Sequence, residues 1–193
     1  MDYTDSCLSN PTEEIIEKSQ EIGWEDPSKY STKILEADDW GELKRKIDEH
    51  REKNTVLAFS GGNEKLNRKA VSDPRMDILL HPGKGRKDSG FDEPMARKAS
   101  ENNVVLGLDF SKIPERKKKK IHLLSNWRKN LDLCEKHDAP YLITTKAENK
   151  YDLRAPRDLE AFINSLGYNG SQALSQNQRI VEKNSKKLEQ EGE

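Results

Sequence analysis

Residues 73–109 read D-P-R-M-D-I-L-L-H-P-G-K-G-R-K-D-S-G-F-D-E-P-M-A-R-K-A-S-E-N-N-V-V-L-G-L-D. The stretch divides into strand, loop, helix and strand. Residues 77–80 form a short apolar run of buried-strand type, and residues 104–108 form a second. Between them, residues 81–90 make a glycine-rich loop that carries Lys84, Arg86 and Lys87. Asp92 and Pro94 are helix-start residues. A basic, glycine-rich loop after a strand is where an α/β protein places a binding site. Exposed backbone N–H groups and several cations suit a polyanion better than a small apolar ligand.

Outward from this stretch the same alternation continues. Residues 55–59 are rich in β-formers, Ser60-Gly61-Gly62-Asn63 is their turn, and residues 64–71 read as a short helix. Upstream, Asn10 is read as the N-cap and Pro11 as the first position of a helix that Gly23 ends. A short extended piece covers 33–37, and Asp39 caps a helix carrying Trp40, Leu43 and Ile47. Downstream come a long helix with Ile121, Leu124, Leu131 and Cys134 on one face, a strand at 141–145 and a helix at 156–166 closed by Gly167. A final polar helix at 175–188 is expected to fray into the Glu-rich terminus. The N-terminal segment 2–7 is a poor strand on propensity.

Alternating strands and helices with short connections predict a parallel sheet. Six or more βα units without a G-x-G-x-x-G turn favour a barrel over a doubly wound sheet. At 193 residues the chain is short for eight units, so a truncated or irregular TIM-like (β/α) barrel is expected. Its domain spans 1–174, with 175–193 as polar helix and tail.

Composition bounds the class. Hydrophobic residues make up 32% and charged residues 36%, yet the net charge is only −1, which argues for a folded domain with a thin core. Such a core is expected to gain stability from a partner. The balance hides an asymmetry. Residues 1–64 hold 8 Lys+Arg against 16 Asp+Glu, residues 65–130 hold 17 against 8, and residues 131–193 hold 9 against 11. A basic middle points to one polyanion-facing surface. Cys7 and Cys134 match no metal or redox spacing and read as reduced thiols of a cytoplasmic protein. No apolar run reaches membrane-spanning length and no signal-peptide pattern opens the chain.

Chemistry is sparse. His50 and His137 lie near helix C-termini, where the dipole favours a cation. His122 lies within a helix, and only His81 ends a strand. One histidine does not build a cluster of imidazole and carboxylate ligands. No catalytic or metal-binding residue is therefore assigned. Asp88 is read as capping the loop or orienting Arg86. Gly61-Gly62 could approach a phosphate or simply turn the chain. It is not a P-loop, because no Gly-Lys-Ser/Thr follows. Residues 116–120 are five consecutive cations, with Trp127, Arg128 and Lys129 on the same helix, a basic strip with an aromatic neighbour.

Six ordered segments carry a resemblance: V-L-A-F-S-G-G-N-E-K-L-N-R-K-A from Val56, D-P-R-M-D-I-L-L-H-P from Asp73, G-R-K-D-S-G from Gly85, W-R-K-N-L-D-L from Trp127, P-Y-L-I-T-T-K-A from Pro140, and Y-D-L-R-A-P-R-D-L from Tyr151. The chain resembles the archaeal ribonuclease P protein component 3 family, which includes the thirty-kilodalton subunit of the eukaryotic enzyme. The resemblance implies a barrel related to the polymerase and histidinol phosphatase domains. It implies a part in removing the 5′ leader of precursor tRNA, with the chemistry carried by the ribonuclease P RNA. It also implies a ferredoxin-like protein partner, other ribonuclease P proteins, no cofactor on the protein and Mg²⁺ for the holoenzyme RNA. Lys84, Arg86, Lys87, Arg128, Arg154 and Arg157 lie in the matching motifs as RNA-facing candidates, with Arg68 and Lys69 as weaker ones.

The chain departs from the family pattern at Thr145-Lys146 and in its polar N-terminal segment. The related phosphatases carry His-x-His after their first strand, where this chain has Asp5-Ser6-Cys7. That difference and the histidine count favour a subunit over a metal-dependent phosphoesterase, while the thin core favours it over a third reading, a free-standing RNA-binding module, which would need no partner surface.

Overall fold

A computed structural model describes residues 3–52 and 55–186. Five strands, β1 (Ser31–Leu35), β2 (Thr55–Ser60), β3 (Ile78–Leu80), β4 (Val105–Asp109) and β5 (Tyr141–Thr144), form one sheet in the order β1-β2-β3-β4-β5, every pair parallel. Leu79 stands opposite Leu106, and Leu108 opposite Ile143. Every residue of β2 to β5 is buried, because both faces are covered. That is why these strands read as continuous apolar runs. Edge strand β1 is only partly buried and correspondingly polar.

Among the described residues seven α-helices accompany the sheet: α1 (Glu13–Glu21), α2 (Trp40–His50), α3 (Glu64–Ser72), α4 (Glu93–Asn102), α5 (Lys117–His137), α6 (Pro156–Ser165) and α7 (Gly170–Lys186). Asp39, Asn63 and Asp92 cap α2, α3 and α4 by accepting backbone N–H bonds. The first helix is capped by Thr12, whose hydroxyl accepts from the Ile15 N–H, and not by Asn10. Asn10 instead takes a left-handed backbone, φ +50°, in the approach to the helix.

Leu57, Phe59, Leu79, Leu106 and Ile143 pack outward against Leu43 and Ile47 of α2, Ala70 of α3, Met95 of α4 and Leu131 of α5. Val56, Ala58, Ile78, Leu80 and Leu142 point the other way and meet Ile180 of α7. The last helix therefore belongs to the core. It begins at Gly170, not 175, so a division at residue 174 passes through it. Its burial was hidden because Asn177 and Asn184 are buried too, as hydrogen-bonded polar residues. The expected fraying at 187–193 lies outside the described residues.

The sheet has five strands among the described residues, fewer than the six or more units expected. Its sequential order has no switch point, unlike a doubly wound sheet. The edges β1 and β5 do not pair. Segment 3–9 lies between them and joins them through polar side chains. Tyr3 makes a single parallel bridge to Trp24. The Thr32 hydroxyl donates to the Ser6 carbonyl at 2.8 Å. Thr145 donates its backbone N–H to Asp5 at 2.8 Å, and its hydroxyl at 2.5 Å. Asn177 of α7 accepts from the Ser6 hydroxyl at 2.6 Å and donates to the Ile143 carbonyl at 3.0 Å. The polarity that made 2–7 a poor strand is the means of this closure; residue 2 itself is outside the described residues.

Candidate RNA-facing site

The strands end on one side of the sheet, and each delivers a polar residue there: Glu36 follows β1, Ser60 ends β2, His81 follows β3, Asp109 ends β4 and Lys146 follows β5. The loop from His81 to Gly90 lies over this end. His81 itself is left-handed, φ +48°, and its ring is held on both sides. Nε2 lies 2.8 Å from Asp109 Oδ2, and Nδ1 lies 3.5 Å from Ser60 Oγ. The other Asp109 oxygen accepts from the backbone and hydroxyl of Ser111 at 2.9 and 2.6 Å. The Ser-His contact is longer than proton transfer uses. The three residues fasten the ends of β2, β3 and β4.

Asn67 of α3 is the residue that shapes the loop. Fully buried, it donates to the carbonyls of Pro82 and Gly90 at 2.9 and 3.0 Å and accepts from the Gly62 N–H at 3.2 Å. Both ends of the basic loop and the glycine turn after β2 thus meet at one side chain. Gly90, φ +69°, admits no substitute, since a Cβ there would lie 1.9 Å from the Pro82 carbonyl oxygen. Gly62, φ +128°, faces the Lys84 carbonyl, where a Cβ would stand 2.7 Å away. Gly61-Gly62 therefore accommodates the neighbouring loop. Sequence reasoning missed Asn67 because an asparagine within a short helix gives no local sign of burial.

Both readings of Asp88 hold at once. It accepts from Arg86 Nε at 2.7 Å and from the Gly90 N–H at 2.9 Å. The bond from Arg86 holds the Asp88 carboxyl below its ordinary value. Arg86 also reaches Glu64 at 3.2 Å, and Glu64 pairs with Arg68, which in turn contacts Asp92. Arg68 and Arg86 are thus knitted into one surface network. Lys84 pairs with Glu36 at 2.7 Å and lowers its pKa, with Ser60 and Lys146 adding to the effect. Lys87 is exposed and makes no ion pair among the described residues.

The other candidates are dispersed. Lys69 sits 5.9 Å over the Trp40 ring on α2. Arg154 lies 5.9 Å over Phe110, just after β4, and donates to the carbonyls of Tyr151 and Leu153. Arg157 is 89% exposed at the start of α6. Arg128 projects from α5 beside Trp127, but that ring is not a surface platform. It is buried edge-on against Phe162, ring centres 6.2 Å apart. Its place among cations in sequence concealed a core position. The cations at 116–120 are exposed at the start of α5, where the helix has no side-chain cap.

Below the loop a cavity of about 420 Å³ opens between the strand ends and α5. Lys112 and Lys146 line it, and neither was singled out as a site residue. A survey of the polar residue ending each strand would have found Lys146 with Asp109, but not Lys112, which lies in the short helical turn after β4. A larger depression of about 660 Å³ lies at the opposite end, beside Pro140 and Tyr141 at the start of β5. Ligand sites in parallel α/β proteins favour the strands' C-terminal ends.

The position of the phosphatases' His-x-His is occupied differently here. Asp5 is buried and already accepts bonds from Thr144, Thr145 and the Cys7 N–H. Burial pushes its carboxyl above the usual range, against those bonds. Among the described residues no three His, Cys, Asp or Glu side chains converge as a metal site. No helix described is long and apolar enough to cross a membrane.

Fold and site together define a parallel α/β protein that presents a braced, cation-bearing loop at its strand ends. The chain belongs to the family described as RNase P subunit p30, whose model matches residues 2–188. It is similar to the ribonuclease P protein component 3 of Methanocaldococcus jannaschii, 38% identical over 138 residues, covering 71% of this chain and 60% of the relative. The same component of Methanococcoides burtonii is 38% identical over 146 residues, covering 75% and 60%. A chain in the cryo-EM structure of archaeal Ribonuclease P with mature tRNA is 34% identical, with a TM-score of 0.75, covering 80% of this chain and 68% of that one. The chain spans about 60% of the length of these two curated relatives.

Proposed function

We propose that this chain acts as a protein subunit of ribonuclease P in the removal of the 5′ leader from precursor tRNA. In this reading the RNA subunit carries the catalysis and binds the Mg²⁺, and the chain supports it while contacting a ferredoxin-like subunit and other ribonuclease P proteins in the cytoplasm. One observation carries the reading: the family match spans nearly the whole chain, and the same fold occurs in a ribonuclease P assembly. The braced loop at residues 81–90 supports it. Its Lys84 and Lys87 are exposed, and a loop held by Asn67 loses little entropy on meeting a phosphate backbone.

Reconstitution tests it. Precursor-tRNA cleavage would be measured with the RNA and remaining subunits, with and without this chain. The chain is expected to raise the cleavage rate or lower the Mg²⁺ requirement, and to do neither without the RNA. Metal-dependent turnover of precursor tRNA or a phosphate ester by the repurified chain alone would overturn the reading in favour of a phosphoesterase.

A further inference from the structure

We propose that the cavity between the strand ends and α5 binds one nucleotide unit, its phosphate at the lysine rim and its base against the apolar wall. The volume, about 420 Å³, falls within the range of small-ligand sites. The lining is divided. Leu108, Leu123 and Trp127 give an apolar wall, while Lys84, Lys112 and Lys146 supply cations.

The carboxylates present are already engaged. Asp109 is held by His81 and Ser111, and Glu36 pairs with Lys84. Lys112 makes no ion pair among the described residues, and Lys146 has only a loose one, 3.8 Å from Glu148. Two lysines therefore remain for an anion.

The second, independent observation is Asn130, which lines the cavity and is 2% exposed. Its Nδ2 donates to the Ser89 carbonyl at 3.3 Å, which fixes the amide's orientation. Among the described residues its Oδ1 has no hydrogen-bond partner. A buried acceptor left alone carries the cost of a missing bond. Inorganic phosphate would satisfy the lysines and leave the acceptor and apolar wall unmet. A nucleobase meets both, because its edge carries N–H donors and its face suits the half-buried Leu123. The nucleotide could be free or an unpaired unit of an RNA strand. The RNA source rests on the ribonuclease P reading; the free one does not.

The test uses the whole chain, titrated with inorganic phosphate, 5′-AMP, 5′-CMP, a short single-stranded oligoribonucleotide and its duplex. NMR would follow the Asn130 side-chain amide and the Trp127 indole N–H. Both signals are expected to shift with a mononucleotide, with the single strand, or with both, and the pattern identifies the source. Phosphate and duplex should bind at least about tenfold more weakly. Lys112→Ala with Lys146→Ala should weaken binding by about tenfold or more without lowering the melting temperature. Leu123→Trp should block it by filling the cavity, and the lysine pair, exposed at Lys112 and half-buried at Lys146, keeps the test decisive should that variant fold poorly. No shift at either signal with millimolar nucleotide or single strand would overturn the proposal. So would an equal response to phosphate, or full affinity in the lysine variant. If wild type binds nucleotide but fails to stimulate precursor-tRNA cleavage, only the ribonuclease P reading falls. If it stimulates cleavage but binds neither nucleotide nor single strand, only the cavity proposal falls.

Discussion

The side-chain amide of Asn67 donates to the carbonyl of Pro82 at 2.9 Å, so the helix after β2 holds the loop after β3. With its bonds to Gly90 and Gly62, this one residue satisfies three backbone groups beneath the basic loop. Asn67→Ala would leave them without that partner in a buried setting. A loss of roughly 2–4 kcal/mol is expected, since each orphaned group costs about 1–3 kcal/mol. A thermal melt checks it, with a fall of roughly 5–15 °C expected for a domain of this size.

Arg86 and Lys87 should behave differently although they are neighbours. Arg86 is bound by Asp88 and Glu64, whereas Lys87 has no ion pair among the described residues. Lys87→Ala is expected to leave the melt unchanged and to lower the salt slope of RNA-dependent assembly by roughly one unit or less. Arg86→Ala is expected to loosen the loop, seen as faster hydrogen exchange at Gly90. The double variant should weaken cleavage without unfolding the protein. Identical salt slopes for wild type and the double variant would move the RNA face to the α5 helix.

The last helix is expected to be indispensable. Ile180, 4% exposed, covers the sheet face that Val56, Ile78, Leu80 and Leu142 present. Ile180→Ala should cost roughly 2–5 kcal/mol, the usual range for emptying such a site. A chain ending before Gly170 should show no cooperative melt, because that face would be exposed to water. A two-state melt in the truncated chain would contradict the packing described.

Neither cysteine should react in the folded protein. Burial raises both the Cys7 and Cys134 thiols well above their ordinary value, and the Asp5 charge adds to the effect at Cys7. The thiolate is the reactive form, so a thiol reagent at pH 8 should label about none of the native chain and both sites in denaturant. Rapid native labelling at Cys7 would mean that the N-terminal closure opens readily.

The loop should be sensitive only to strong acid. The Asp88 carboxyl is depressed, chiefly by Arg86, below its ordinary value of 3.8. A depressed carboxyl contributes stability above the unfolded value and loses it as pH falls through the folded one. The Gly90 amide, bonded to Asp88 at 2.9 Å, should report this titration by NMR with a midpoint under 3.8. Arg86→Ala should raise that midpoint. A midpoint at the ordinary value in both proteins would show that the clamp does not persist in solution.

Much of the fold was legible in the sequence. The apolar runs of β2 to β5 announce strands because parallel strands are buried on both faces and need no alternation. Asp39 and Asp92 announce helix starts because their carboxylates accept unpaired N–H groups within a few residues. Glycines 83, 85 and 90 with Lys84, Arg86 and Lys87 mark the loop, since local backbone geometry and charge are written in adjacent residues. The tertiary structure alone decided what depends on distant pairs. It placed Asn67 under Pro82 and Gly90, set Asp5 against Thr145 across the sheet's open side, and turned the polar-looking α7 into core through Asn177 and Ile180. A polar side chain reads as exposed until the chain brings it a partner, and such partners lie as far as 174 residues away. For the same reason Trp127 and Asn130 became visible as one cavity wall only after α5 docked against the strand ends.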